Sequence, residues 1–165
     1  MRLATYHSDH PTERENPMKA MVQDEYGSPD VLELREIDKP VVKDDEVLVR
    51  VHAAGVQIGD WLAMGGLPYL IRLMGFGLFK PKNRTLGYEM AGDVEAVGKN
   101  VTQFQPGDGV FGWCTGAFAE YVSVSEDMLV LKPAHLTFEQ AAAVPSGAFV
   151  ALQALRDKGE IQHGQ

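Results

Sequence analysis

The sequence predicts a mainly β fold: a barrel-like domain of short antiparallel strands that gives way to helices near its end. Short apolar runs of strand length recur along the chain, separated by clusters of Gly, Pro, Asp and Asn. In one of them, residues 47–53, Val47, Val49, Val51 and Ala53 alternate with Leu48, Arg50 and His52, which is the period of a strand. Beyond Pro133 the chain changes character and fills with strong helix formers.

Taken in order, residues 1–17 are polar, contain Pro11 and Pro17, and are expected to form a disordered tail. Ordered structure is expected from Met18, where MKAMVQ turns apolar. Strand-like runs at 31–37 and 47–53 are joined by the turn-rich KPVVKDDE. Further runs lie at 93–97, 110–113, 118–124 and 129–131, with GKN, QPGDG, SED and KPA as breaks. Several short strands at this spacing suggest a barrel. Thr137 and Gln140 then have capping-box spacing ahead of EQAAAV. After Pro145, AFVALQALRDK predicts a second helix with Leu152 and Leu155 on one face and Gly159 as its stop.

Composition narrows the function. The 165 residues suit one domain, and 45% apolar residues supply a core. Fifteen basic against 23 acidic residues leave a net charge of −8. This disfavours nucleic acid and anionic membrane surfaces, which reward clustered Lys and Arg. The apolar patch at 67–79 is interrupted by Arg72 and is shorter than the ~20 residues of a membrane span. A single cysteine, Cys114, excludes an internal disulfide and points to a reducing, cytoplasmic setting. Residues 1–17 lack the apolar stretch of a secretory signal, and Asp9, Glu13 and Glu15 disfavour a mitochondrial leader.

Two motifs invite chemistry and lack its context. Gly107, Gly109 and Gly112 match G-x-G-x-x-G, but a phosphate loop needs a preceding strand and a following helix N-terminus. Here Pro106 precedes and strand-like sequence follows, so a turn into a strand is expected. The five histidines are His7, His10, His52, His135 and His163; they are scattered, and zinc needs three or four convergent donors. No basic neighbour would activate Cys114, which is expected to be a small residue in a turn.

Three segments carry a family resemblance: VRVHAAGVQIGDWLAMGG, LGYEMAGDVEAVGKNVTQFQPGDGVFG and GAFAEYVSVSEDMLVLKPAHLTFEQAAAVPSGAFVALQAL. Together they resemble the N-terminal GroES-like domain of zinc-independent, quinone-oxidoreductase-like medium-chain dehydrogenases/reductases. The resemblance implies a GroES-like β-barrel over 18–144, with 145–165 as the first helix of a Rossmann domain that the chain does not reach. It implies a parent enzyme that passes hydride from NADPH to a quinone or α,β-unsaturated carbonyl. An alcohol or aldehyde dehydrogenase of the same superfamily is the nearest alternative, and a stand-alone binding or assembly module is a third.

The resemblance also assigns roles. Gln57 stands where zinc-dependent relatives have a cysteine ligand, Tyr88 stands where they have histidine, and their four-cysteine lobe is missing, so no zinc is expected. The Gln57 amide could polarise a substrate carbonyl or contact the nicotinamide; it could equally satisfy nearby backbone. Asp60 matches an acidic family position and is expected to cap the short WLAM helix. Trp61, Tyr69, Phe76 and Tyr88 are expected around a hydrophobic substrate. A core or homodimer contact would explain these aromatics equally well. Val150 occupies a cofactor-facing position where the family has Thr, which weakens the transfer of that contact.

Overall fold

The structure is a computed structural model that describes residues 17–70 and 72–162. The expected tail therefore lies outside the described residues, save for Pro17. That residue already pairs with Asp38, so the first strand starts one position earlier than Met18 suggested. Strands β1 (Pro17–Val22) and β2 (Glu33–Asp38) form a two-stranded antiparallel sheet. Met18, Ala20 and Val22 of β1 point inward and are buried. A 3-10 turn at Pro29–Val31 delays β2, because Pro29 fixes a tight turn where the run 31–37 was expected to be extended.

The main sheet has five antiparallel strands in the order β6-β3-β4-β5-β7. They are β3 (Glu46–Gly55), β4 (Glu89–Val97), β5 (Gly109–Trp113), β6 (Tyr121–Ser125) and β7 (Leu129–Leu131). In β3, Arg50 and His52 are exposed as the alternation requires, while Leu48 is buried where a bulge between Leu48 and Val49 interrupts the period. The β1–β2 ribbon is tied to this sheet through bridges from Ala20 to Ala119 and from Val22 to Thr85. Val47, Val49, Met90, Val94, Val110 and Val122 form the centre of the apolar core.

Strand β4 begins four residues before the expected run at 93–97. The extra residues include Ala91 and Gly92, poor strand formers that the packing demands. A Cβ on Gly92 would sit 2.0 Å from the Arg50 carbonyl oxygen of β3. Similarly, β6 starts at Tyr121, three residues later than expected, since Ala119 makes only an isolated bridge. Gly107 (φ +95°) turns the chain into β5, so the glycine run enters a strand, as its Pro106 context indicated.

Three α-helices accompany the strands among the described residues: α1 (Ile58–Gly65), α2 (Phe138–Ala142) and α3 (Pro145–Leu152). Thr137 and Gln140 form the capping box of α2: the Gln140 N–H donates to Thr137 Oγ1 at 3.2 Å, and the Thr137 N–H donates to Gln140 Oε1 at 3.0 Å. Ala141 and Ala142 pack this helix against Ala91. The expected second helix is α3, continued by wider π-type turns over Gln153–Lys158. Its Leu152 and Leu155 are exposed. No helix of the described residues is long and apolar enough to cross a membrane.

Candidate functional site

The site is built at one end of the main sheet. Gly55 of β3, Glu89 of β4 and Trp113 of β5 stand in line across three paired strands. Gly55 cannot carry a side chain, since a Cβ there would meet Glu89 Oε2 at 2.8 Å and the Ala142 carbonyl at 2.9 Å. The chain leaves β3 at Gly55 and enters α1 through Val56 and Gln57.

Gln57 is the N-cap of α1, with extended backbone (φ −130°, ψ 168°). Asp60 is therefore the third helical residue and not the cap itself, which corrects the sequence expectation. The physical reason is the capping-box arrangement, in which an acidic side chain three residues into the helix reaches back to the cap. Asp60 Oδ2 accepts from the Gln57 N–H at 2.9 Å, and Oδ1 accepts from the Gly87 N–H at 3.1 Å. Asp60 is 3% exposed. Burial pushes its carboxyl above the ordinary value, the two backbone donors pull it down, and Glu89 raises it further. One carboxylate thus fixes both the entry to α1 and the turn that presents Tyr88. The Gln57 amide lies back over the first turn near Gly59.

Glu89, 4% exposed, reaches the other way. Its Oε1 accepts a short hydrogen bond from the Ser146 N–H at the start of α3. The carboxylate stands at the positive end of that helix. The Ser146 hydroxyl accepts from Trp113 Nε1 at 3.2 Å. An apolar groove of about 510 Å³ opens beside them, lined in part by Phe111, Trp113, Met128, Phe149 and Val150.

A second, smaller cavity of about 130 Å³ lies behind Tyr88. Phe76 and Tyr88 both line it, together with Gln23, Tyr26, Asn83 and Leu86. Its rim is held by Tyr26, whose hydroxyl is 2.8 Å from both the Phe76 and Gly77 carbonyl oxygens. Arg72 stacks over Tyr26 and donates to the Gly65 and Gly66 carbonyls at 3.0 Å each. Gly66 ends α1 in the left-handed conformation (φ +61°), and the segment Arg72–Phe76 breaks at Gly75 (φ +107°). Tyr88 lines the cavity and Trp113 the groove, with their ring centroids 6.2 Å apart.

The sequence candidates therefore distribute over neighbouring places. Phe76 and Tyr88 share the cavity, Val150 lies in the groove, and Gln57 sits at the head of α1, outside the linings of both. Trp61 and Tyr69 are exposed beyond them, Tyr69 with its ring against Arg72. Sequence reasoning missed Gln23, Tyr26, Glu89 and Ser146. Glu89 offered a signal, as the acidic residue next to Tyr88; the others come together only through long-range pairing.

Two of the metal-binding side chains, His52 and Cys114, are otherwise engaged. His52 Nε2 lies 2.8 Å from Asp93 Oδ2, and its ring stacks on Phe138. His7, His10 and His163 lie outside the described residues. Cys114 is part of the core, and burial pushes its thiol up to about 12, where it is neither nucleophile nor ligand at neutral pH. No cluster of three or more His, Cys, Asp or Glu suited to a metal occurs among the described residues.

Residues 43–134 match the family model described as the alcohol dehydrogenase GroES-like domain. A quinone oxidoreductase of Sus scrofa is 34% identical over 151 residues, covering 90% of this chain and 44% of the relative. A 2-methylene-furan-3-one reductase of Solanum lycopersicum is 34% identical, covering 86% of this chain and 38% of the relative. The crystal structure of Escherichia coli quinone oxidoreductase complexed with NADPH superposes with a TM-score of 0.75 at 27% identity, over 87% of this chain and 42% of that one. The chain spans less than half the length of these relatives.

Proposed function

Since this chain belongs to the alcohol dehydrogenase GroES-like domain family, in its quinone-oxidoreductase type, we propose that it is the substrate-side domain of an NADPH-dependent reductase of quinones or α,β-unsaturated carbonyls. The domain covers residues 18–144, and residues from 145 onward begin the nucleotide-binding part of the parent, a protein of the reducing cytoplasm. The observation that carries the reading is Gln57 at the head of α1, its backbone held there by the buried Asp60. The relatives support the chemistry by what they are: a quinone oxidoreductase, a furanone reductase and an NADPH-bound quinone oxidoreductase.

The residues present fit one part of the cofactor. The groove beside Val150, Phe149 and Trp113 has the apolar walls that suit a flat ring. For a pyrophosphate the described residues offer little. The glycine run enters β5, and the start of α3 is already taken by the Glu89 carboxylate. When bound, NADPH supplies hydride. The part played by this chain is positioning and polarisation. Gln57 donates to the acceptor oxygen as negative charge builds on it, while Phe76 and Tyr88, with Trp61 and Tyr69 at the exposed edge, shield the reacting ring from water. Assay of the longer parent with NADPH against quinones, enones and alcohols tests the reading; turnover of alcohols alone would favour the dehydrogenase alternative.

Two further outcomes follow. The 165-residue chain should show no saturable NADPH binding in the micromolar range by calorimetry, because pyrophosphate recognition needs a glycine turn leading to a free helix N-terminus. Micromolar affinity would mean that this chain holds the phosphates itself. Metal analysis of tag-free protein should find no stoichiometric zinc, as Gln57 and Tyr88 offer neither thiolate nor imidazole. One tightly held zinc per chain would contradict it.

A further inference from the structure

The cavity behind Tyr88 contains a polar group that the fold leaves unused. Gln23 is 1% exposed and lines the cavity, and its Oε1 has no hydrogen-bond partner among the described residues. A buried acceptor without a partner costs about 1–3 kcal/mol, and native folds keep such groups rarely. Packing alone does not call for it. Gln23 follows the inward-facing Met18, Ala20 and Val22, and an apolar residue of equal length would fill the same space.

We propose that this cavity binds a small hydroxylated aromatic ring, with its hydroxyl on the Gln23 carboxamide. Size, walls and polarity agree. An engineered apolar cavity of about 150 Å³ admits benzene, and this one measures about 130 Å³. Tyr26, Phe76 and Tyr88 supply rings for edge or face contact. The Gln23 amide presents an acceptor and a donor, and a phenolic hydroxyl, being both, satisfies it in either orientation of the amide. The hydrogen bonds of Tyr26 to Phe76 and Gly77, and of Arg72 to Gly65 and Gly66, fix the rim before any ligand arrives, so little ordering cost falls on binding.

The proposal rests on the functional reading insofar as Phe76 and Tyr88 were assigned to the substrate there. It deepens that reading by adding Gln23 as the group that selects a hydroxyl. Binding by the 165-residue chain and turnover by its parent are separate readouts. A parent that reduces quinones while this chain ignores phenol would overturn the cavity proposal alone.

The test is a pair of NMR titrations of the 165-residue chain, one with phenol and one with toluene, which has similar size and no hydroxyl. Phenol should bind in the millimolar range or tighter and shift the Gln23 side-chain amide and the Tyr88 ring. It should bind about three- to ten-fold more tightly than toluene, the ratio expected of one net hydrogen bond. Gln23→Met, which keeps length and deletes the amide, should abolish that ratio while retaining toluene binding. Equal affinity of phenol and toluene for the wild type would overturn the proposal. So would shifts confined to the Trp113–Phe149 groove, or no binding of either ring, which would mean a site for water only. If Gln23→Met does not fold, the wild-type ratio and the position of the shifts decide.

Discussion

Replacing Asp60 by alanine should destabilise the domain by about 2–4 kcal/mol, because it strands two backbone donors at once. Both carboxylate oxygens are in use, one on the Gln57 N–H and the other on the Gly87 N–H. Asn is therefore a poor substitute here, although it caps helices well elsewhere. It supplies one acceptor oxygen and turns an NH₂ toward the second donor, so Asp60→Asn should cost about 1–3 kcal/mol. Urea unfolding would read both as lower midpoints at unchanged slope. Acid adds a signature. Burial holds the folded-state pKa of Asp60 above its unfolded value, so the native state binds the proton more tightly. The wild type therefore gains stability from this group as pH falls through that raised value toward the ordinary one, and loses the gain as pH rises again. Asn does not titrate, so the gap between wild type and Asp60→Asn should widen on acidification. A gap that narrows would mean the carboxylate is the favoured form in the fold.

If the parent is the reductase proposed above, Gln57→Leu there should lower kcat/KM by roughly 10- to 100-fold, about 1.4–2.7 kcal/mol of transition-state stabilisation. The substitution keeps similar bulk and deletes both amide functions. If the amide contacts the acceptor oxygen as charge develops, the loss falls on kcat; if it only holds cofactor or substrate, the loss falls on KM. Asp60→Asn should act differently, since that side chain touches the Gln57 backbone and not the reacting atoms. It should lower stability more than it lowers turnover. Wild-type kinetics for Gln57→Leu, with turnover abolished in folded Asp60→Asn, would reverse the two roles.

Much of the barrel was legible because its signals are local. Alternation marked β3, the Pro-Gly-Asp turn marked the entry to β5, and Thr137 with Gln140 marked α2 before any packing was known. The start of β4 was hidden for a physical reason. Gly92 lacks a side chain because β3 passes too close, so the residue that fits the sheet best reads as a strand breaker. The misplacement of Asp60 has the same character: spacing reveals a carboxylate near a helix start, but only the fold shows that Gly87, from a distant turn, supplies its second donor. Of the cavity lining, Phe76 and Tyr88 were singled out by the sequence, whereas Gln57, from the contiguous family motif, sits outside it. The rest was illegible, because Gln23 and Tyr26 of the loop after the first strand meet Phe76 and Asn83 only across the chain.

The first strand also bears on how the domain assembles. Lys19 and Met21 of β1 exchange hydrogen bonds with Phe118 and Glu120, about a hundred residues further on, through the Met21 N–H to Phe118 O at 2.8 Å and the Glu120 N–H to Lys19 O at 3.0 Å. These contacts cannot form until nearly the whole barrel exists, and closing so long a loop costs entropy before any bond repays it. The ribbon should therefore dock late, with mutations in β1 speeding unfolding far more than they slow refolding. During synthesis the earliest of the described strands would wait for the segment just before β6, its inward Met18, Ala20 and Val22 uncovered in the meantime.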